Sequence, residues 1–295
     1  MYEPISNEQL LAAANAFGTP LYVYHAEKIK EQYEKLTNAF KNHPTRFFYA
    51  CKALTNVNIL KYMKGLGVLL DCVCINEVKL GLMAGFEPNE ILFTPNCVDL
   101  DEILEGVACG VRINIDNISI LEQFGNKFGS TYPVCIRINP HIEAGGNYKI
   151  STGHIDSKFG ISIHQLRHIG RIVKTTKMQV KGLHMHTGSE IKDVNVFLQA
   201  LDVMFDVARN LPDLEFLDLG SGFKVPYKDD ELETDVVSLG AKLTEAVKEF
   251  EAEYLGILEA QHKDALAELK AGKLPDNVLA TLEKVADGLS KKYKK

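Results

Sequence analysis

The residue with the most distinctive potential chemistry is Lys52, which lies in the segment FFYACKALTN over Phe47–Asn56. If this segment begins as a β-strand, Phe48, Ala50 and Lys52 point to one side of it. A lysine at the inner end of such a row is partly dehydrated, which favours the neutral amine. A neutral amine can form a Schiff base with an aldehyde cofactor. For an isolated lysine, a solvated side chain at a strand end is the commoner arrangement.

Two histidines, His184 and His186, lie in the segment GLHMHTGS and share one face of a predicted strand. Such a pair can bind a divalent metal, but no third and fourth ligands follow at a recognised spacing, so we expect no metal site. One imidazole could instead stack on a flat cofactor ring, while Gly188 and Ser189 offer an amide and a hydroxyl to an anion. The simplest alternative is two ordinary hydrogen-bonded histidines.

A glycine-rich loop follows the last predicted strand, in the segment LDLGSGF over Leu217–Phe223. Gly220 and Gly222 allow the backbone to approach an anion closely, and successive amides can hold a phosphate. Barrel enzymes often bind phosphate in the loops after strands seven and eight. Alone, G-S-G is a weak motif, because most such loops are simple turns.

These residues stand in a regular alternation of short apolar runs and longer amphipathic segments, which predicts parallel β-strands joined by helices. Nearly every apolar run ends in a polar or ionisable residue. The ends of barrel strands converge on one face, whereas an open doubly wound sheet concentrates its chemistry at one switch point. The pattern therefore favours an α/β fold of the (β/α)8 (TIM) barrel type. The seven predicted strands are Arg46–Ala53, Val68–Cys74, Ile91–Asn96, Val111–Asp116, Val134–Pro140, Gln179–His186 and Leu214–Gly220.

The composition excludes several classes of function. The formal net charge is −6 and no Lys/Arg block occurs before the extreme C-terminus, which argues against nucleic acid as a partner. No stretch approaches the length of a membrane span, and the N-terminus lacks an apolar signal core. Six scattered cysteines without C-x-x-C spacing indicate reduced thiols. We therefore expect a cytoplasmic protein.

The character of the chain changes after Tyr254. Residues 255–295 are rich in Ala, Leu, Glu and Lys, and they predict two helices, Leu255–Ala271 and Asp276–Leu289. The chain thus divides into a barrel over 1–254 and a helical hairpin over 255–295. Seven strands leave two unpaired barrel edges, which need a cover. We expect the hairpin to pack over that gap.

Six segments in this order resemble the barrel of diaminopimelate decarboxylase, a fold-type III enzyme that depends on pyridoxal phosphate (PLP). The resemblance extends over about Leu21 to Tyr254. Each motif is modest alone, and the six together are specific. The segments are FYACKA at 48–53, DCVCINE at 71–77, RINP at 137–140, SKFG at 157–160, HMHTGS at 184–189 and DLGSGF at 218–223.

The resemblance implies a role for each motif. Lys52 would hold PLP covalently and His186 would stack on its pyridine ring. Ser189 and the loop over Gly220, Ser221, Gly222 and Phe223 would hold the phosphate. Three further side chains would line the site and position His186 and the ring; they are Asp71, Glu77 and Arg137. The implied reaction removes one carboxylate of meso-2,6-diaminopimelate as CO2 and gives L-lysine, a step of lysine biosynthesis.

Two features of the family are not found after Tyr254. One is an E-P-G-R or E-P-G-K motif on strand eight, whose glutamate partners the pyridine nitrogen. The other is a C-terminal β-domain that completes the active site across a dimer interface. We therefore expect impaired decarboxylation. The alternatives are a barrel-only PLP-binding or racemase-like protein, and a non-catalytic truncated or designed scaffold. The expected partner is a small amino-acid substrate, with no nucleic acid or membrane, and both a homodimer and a monomer remain open.

Overall fold

A computed structural model of the chain describes residues 5–142, 144, 152–155, 157–211, 213–228, 230–273, 275, 277–282 and 284–285. Seven strands form one parallel sheet in the order β1-β2-β3-β4-β5-β7-β8, and the short β6 pairs with β5 outside this path. The strands are β1 (Phe48–Ala50), β2 (Leu69–Cys72), β3 (Ile91–Phe93), β4 (Arg112–Ile115), β5 (Val134–Asn139), β6 (Ile161–Ser162), β7 (Val180–His184) and β8 (Phe216–Asp218).

Helices precede, connect and follow these strands, as the alternating pattern predicts. Several begin at a side-chain cap: Asn56, Asp99 and Asn117 each accept hydrogen bonds from backbone amides of the first turn. The helices are α1 (Asn7–Phe17), α2 (Ala26–Ala39), α3 (Val57–Gly65), α4 (Ile75–Met83), α5 (Leu100–Ala108), α6 (Ile118–Phe128), α7 (Leu166–Thr176), α8 (Asn195–Ala208), α9 (Val236–Gln261) and α10 (Lys263–Lys270).

The sheet curls as a barrel does, and all of its pairings are parallel. The fold class predicted from the sequence is therefore confirmed. The central strands are buried on both faces, as β3 and β5 show, and both are rich in Ile and Phe or Val. Each of the seven predicted strands is present but shorter than its apolar run. Several of the polar residues near the strand ends, among them Asp71, Arg137 and Asp218, lie within the strands. The two-residue β6 was not predicted, since so short a strand leaves no periodic pattern.

Strands β1 and β8 are the two edges of the sheet, and helix α9 lies behind the gap between them. Helix α9 packs against both α2 and α8. Its residues Leu239 and Leu243 join a core cluster with Phe40, Phe197 and Phe205. Because α2 precedes β1 and α8 precedes β8, α9 closes the outer ring of helices although the ring of strands stays open. The gap is thus covered largely by residues of α9 that precede 255, and not mainly by the hairpin over 255–295 as predicted. From that hairpin, Leu279 and Leu282 line the cavity that extends toward this gap.

The tail departs from the predicted helix boundaries. Helix α9 continues through the predicted break at Tyr254 and ends at Gln261, after which α10 begins at Lys263. Residues 277–282 and 284–285 are helical, and the rest of the predicted second helix lies outside the described residues. The boundary prediction was wrong because an isolated glycine is tolerated inside a helix: Gly256, two residues after Tyr254, lies within α9 and does not end it. Among the described residues, no helix combines the length and apolar character that crossing a membrane requires.

Helix α9 approaches α2 so closely that Gly240 has no room for a side chain. A Cβ at Gly240 would lie 2.1 Å from the carbonyl oxygen of Ala39, whereas a Cβ at Gly256, on the same helix, would meet nothing within 4 Å. We expect Gly240→Ala to lower the free energy of unfolding by about 1–3 kcal/mol, because the backbones must separate. Gly256→Ala should raise it by up to about 1 kcal/mol. Urea unfolding of both variants checks this, and equal effects would contradict the described α2–α9 packing.

Candidate functional site

One cavity of about 1690 Å³ occupies the mouth of the barrel and continues toward the gap between β1 and β8. Polar residues from most of the strand ends reach it, as the sequence pattern predicts. Those that line it at the mouth are Lys52, Asp71, Thr94, Asn96, Arg137, His184, His186, Ser189, Asp218, Gly220 and Ser221. Apolar side chains line its other end, among them Phe48, Leu217 and Leu243.

Lys52 reaches this cavity from a 3-10 turn, Cys51–Ala53, that follows β1 directly. The strand ends at Ala50, so Lys52 is not part of the inward row that the sequence predicts. Its side chain is exposed. The prediction that a position at the strand end partly removes water from the amine is therefore wrong. The ammonium charge of Lys52 nevertheless acts on both Asp71 and His186. It opposes the rise in the pKa of Asp71 that burial causes, and it adds to the fall in the pKa of His186 that burial causes. Lys52 thus faces the two side chains with which it was predicted to share a site.

His186 follows β7, and its ring is uncharged at neutral pH. Burial, followed by the charge of Arg137, lowers the pKa of His186 to about 3. Its backbone is fixed by Thr152, whose Oγ1 donates to the His186 carbonyl at 2.6 Å. A Cβ at Gly220 would lie 2.9 Å from His186 Nδ1, so the glycine loop packs directly on the ring. A neutral ring held in one plane suits stacking on a flat aromatic ligand.

His184 is buried deeper than His186 and has a different environment. Burial lowers the pKa of His184 well below its usual value. Its neutral Nδ1 accepts a hydrogen bond of 2.6 Å from Asn114 Nδ2. Among the described residues, the groups that could bind a metal do not include this histidine pair. The structure therefore favours a positioning role for His184 over metal ligation.

Arg137 on β5 is the buried cation of the site. It is 7% exposed, and its guanidinium lies 4.7 Å from the ring centre of Phe159, in the SKFG segment. Burial lowers the pKa of Arg137, while the charges of Asp116, Asp71 and Asp218 oppose that shift. A buried guanidinium shared among three carboxyl groups, without a bidentate partner in the described residues, can also hold an anionic group of a ligand.

Burial raises the pKa of three carboxyl groups near the mouth. It raises the pKa of Asp71 to about 7, although Asp71 accepts a hydrogen bond of 2.5 Å from Thr94 Oγ1, which lowers that pKa. Burial also raises the pKa of Asp218, which accepts from the Gly220 amide at 2.8 Å. Burial likewise raises the pKa of Asp116, which accepts from Asn96. Asp71 can therefore bind or release a proton near neutral pH.

The raised pKa of Asp71 predicts a specific pH dependence of stability. Because this pKa lies above the unfolded value of about 3.9, the folded protein binds the extra proton, and stability falls as pH rises from about 4 to about 7. Asp71→Asn should flatten that decline. Urea unfolding at about pH 5 and about pH 8 measures it. The exposed Asp213→Asn should behave like the wild type, and an unchanged slope for Asp71→Asn would contradict the assignment.

The glycine loop packs against the segment after β7. Gly220 and Gly222 have φ of 63° and 104°, in the region that favours glycine. A Cβ at Gly222 would lie 2.0 Å from the Gly188 carbonyl oxygen, and the Ile191 amide donates to the Gly222 carbonyl at 2.9 Å. Phe223 anchors the loop on Phe197, with ring centres 5.5 Å apart. Gly220 and Ser221 line the cavity, beside Ser189 from the neighbouring segment.

Most of the predicted site residues line the cavity, and two, Glu77 and Gly222, do not. Glu77 lies behind the sheet, where its Oε2 accepts from the Val73 amide at 2.8 Å, and it is not among the residues that line the cavity. Its predicted contact with a cofactor therefore has no support from its position. Thr94, Asn114 and Asp218 were not predicted as site residues. The sequence signal that could have revealed them is a polar residue within or at the end of an apolar strand, such as Asn114 in RINI over Arg112–Ile115.

Comparison with known proteins gives consistent matches over the barrel. Residues 26–259 match a family model described as "Pyridoxal-dependent decarboxylase, pyridoxal binding domain". A diaminopimelate decarboxylase of Methanothermobacter thermautotrophicus is 34% identical over 257 residues, which is 85% of this chain and 60% of that protein. One from Bacillus subtilis is 31% identical and is likewise covered over 60% of its length. The chain thus spans about three fifths of these relatives.

Solved structures give the same result. Diaminopimelate decarboxylase from Helicobacter pylori, in complex with L-lysine, superposes with a TM-score of 0.75 at 28% identity, covering 82% of this chain and 63% of that one. A lysine/ornithine decarboxylase from Vibrio vulnificus, in complex with putrescine, gives a TM-score of 0.69 at 25% identity, covering 83% of this chain and 64% of that one.

Proposed function

Because this chain belongs to the pyridoxal-dependent decarboxylases through their pyridoxal binding domain, we propose that it binds PLP at Lys52 and removes a carboxylate from meso-2,6-diaminopimelate. The product of that reaction is L-lysine. The observation that carries the proposal is the convergence of Lys52, His186 and the glycine loop on one cavity. The diaminopimelate decarboxylases among the similar proteins support the choice of substrate.

The residues present fit this cofactor. The glycine loop has positive φ at Gly220 and Gly222, and side chains there would collide with Met185 and Gly188. Such a loop, with Ser189 and Ser221, suits a phosphate group. The neutral ring of His186 suits the face of the pyridine, and the exposed amine of Lys52 is free to reach an aldehyde carbon. Bound PLP supplies an electron sink for the pair released as CO2 leaves.

The protein's own groups then orient the substrate and handle protons. Arg137 is the buried cation that can balance a carboxylate or phosphate charge. With a pKa of about 7, Asp71 can exchange a proton near neutral pH and lies close enough to Lys52 for their charges to interact. Asp218 interacts electrostatically with His186 and is fixed by the Gly220 amide. These three charged groups favour a zwitterionic amino acid as the substrate class.

We further propose that this chain, on its own, decarboxylates weakly. No E-P-G-R or E-P-G-K sequence follows β8, and the described part of 255–285 is helical or irregular. By the resemblance, a glutamate of such a motif would hold the pyridine nitrogen protonated, and without it the electron sink would be weaker. The same observation favours a second candidate function, a PLP-binding or racemase-like barrel. A division at about Tyr254 into a barrel and a helical tail remains part of this proposal.

One assay separates these functions. The PLP-loaded protein is incubated with meso-diaminopimelate, and released CO2 and L-lysine are measured together. Slow formation of both in equal amounts supports the decarboxylase, and Lys52→Ala should abolish it. Isomerised diaminopimelate without CO2 would support the racemase-like reading. A protein that binds PLP and forms neither product would be a carrier or a scaffold.

We also propose a cytoplasmic location. All six cysteines are free thiols, which agrees with a reducing compartment. For the assembly, the proposal keeps both a homodimer and a monomer, because the family completes its site across a dimer interface through the β-domain that is not found after Tyr254. Light scattering on the purified protein over a range of concentrations distinguishes the two masses.

A further inference from the structure

A second cluster of reactive side chains lies behind the sheet, outside the cavity. It consists of Cys51, Cys72 and Glu77. The two sulfur atoms and one carboxylate oxygen of Glu77 lie within 4.8 Å of one another. Cys51 and Cys72 are fully buried and Glu77 is 7% exposed. None of the three lines the cavity at the barrel mouth. Among the described residues, this is the one group whose donor atoms are close enough together to hold a metal ion.

The fold brings these residues together from the turn after β1, from β2 and from a helix. Ala50 of β1 pairs with Asp71 of β2, so Cys51 and Cys72 follow as neighbours. Asp71 lines the cavity, and side chains alternate along a strand, so Cys72 points to the opposite side, against the helices. Glu77 returns toward the same point from the first turn of α4. Spacing along the chain could not reveal the cluster, because one sulfur follows β1 and the other lies on β2.

The chemistry of the cluster suits a soft cation. One oxygen of Glu77, Oε2, is held by the Val73 amide, which leaves Oε1 to coordinate an ion. The two sulfurs and this carboxylate are buried together within 4.8 Å of one another. A divalent cation bound among them would balance charge that burial otherwise leaves uncompensated.

We propose that Cys51, Cys72 and Glu77 form a binding site for Zn²⁺ between β1, β2 and α4. Two thiolates and a carboxylate are ligands that zinc prefers, and a water or backbone oxygen would complete four-fold coordination. Binding of the ion releases the thiol protons to solvent. The bound ion would fix the turn Cys51–Ala53, which carries Lys52, to the start of α4. The site is structural, and its metal takes no part in the proposed decarboxylation.

Cobalt substitution tests the site in the full-length reduced protein. Co²⁺ bound by two thiolates gives a near-ultraviolet sulfur-to-cobalt charge-transfer band, which we expect at one equivalent. Cys51→Ser and Cys72→Ser should remove this band. Glu77→Gln should weaken Co²⁺ binding by at least about tenfold. Cys74→Ser is the matched control, because Cys74 lies in the same segment but outside the cluster, and its band should persist.

A second test uses the wild-type protein, so its result does not depend on whether variants at these buried positions fold. X-ray absorption of the zinc-loaded protein should show two sulfur ligands at about 2.3 Å and the rest as oxygen or nitrogen. A shell without two sulfurs would overturn the proposal, as would a cobalt band that survives in a folded Cys51→Ser/Cys72→Ser protein. Loss of two thiols in the purified protein, reversed by a reductant, would show a disulfide instead and would also overturn it.

Discussion

Lys52→Ala is expected to abolish the absorbance band near ~420 nm that the wild type should develop with PLP, a band that follows from covalent attachment of the aldehyde to an amine. Lys52 lines the barrel mouth, and its charge acts on both Asp71 and His186. Removing the amine leaves the phosphate loop and the His186 ring in place. The variant should therefore bind PLP more weakly and without the band.

Lys158→Ala provides the matched control. Lys158 is also exposed and lines the same cavity, and its Nζ lies 5.1 Å from the ring centre of Phe159. If access to the cavity were enough for a lysine to bind PLP covalently, removing either lysine would reduce the absorbance band equally. We expect the band to persist in Lys158→Ala. The reverse pattern would assign the cofactor to Lys158.

Gly222→Ala is expected to lower the free energy of unfolding by about 3 kcal/mol or more and to weaken PLP binding by at least about tenfold. Two costs add: a non-glycine residue at positive φ costs about 1–3 kcal/mol, and the new Cβ would lie 2.0 Å from the Gly188 oxygen. The loop must then separate from the Gly188 segment, which disrupts the proposed phosphate site. Denaturant unfolding and PLP titration measure the two effects.

Gly272→Ala separates backbone strain from the collision. Gly272 also has positive φ, at 71°, but a Cβ there would meet nothing within 4 Å. This control should cost only about 1–2 kcal/mol and leave PLP binding unchanged. Equal losses in the two variants would mean that the Gly222–Gly188 contact does not support the site.

The sequence predicted the sheet well because parallel strands buried on both faces leave continuous apolar runs. The seven runs match the seven strands of the main sheet, and their polar ends meet at one cavity. The end of α9 was not predicted, because the isolated glycine at Gly256 is tolerated inside the helix and does not mark its end. Its packing on α2 depends on Gly240, whose importance is visible only from the position of Ala39.

The site was predicted less completely than the sheet. Lys52, His186 and the glycine loop could be assigned roles because their motifs, each modest alone, occur together in the order that one family shows. The position of Glu77 could not be predicted, since a residue in the first turn of a helix can face either the cavity or the layer behind the sheet. Thr94 and Asn114 act on Asp71 and His184 through single hydrogen bonds, and such a pairing between strands leaves no pattern in the sequence.

The most direct test of the central claim is to find which amine carries the cofactor. The PLP-loaded protein is reduced with borohydride, digested, and the modified peptide is sequenced by mass spectrometry. We predict one stoichiometric modification, on Lys52. Modification of a different lysine, or substoichiometric labelling spread over several surface lysines, would contradict the assignment of this cavity as the PLP site.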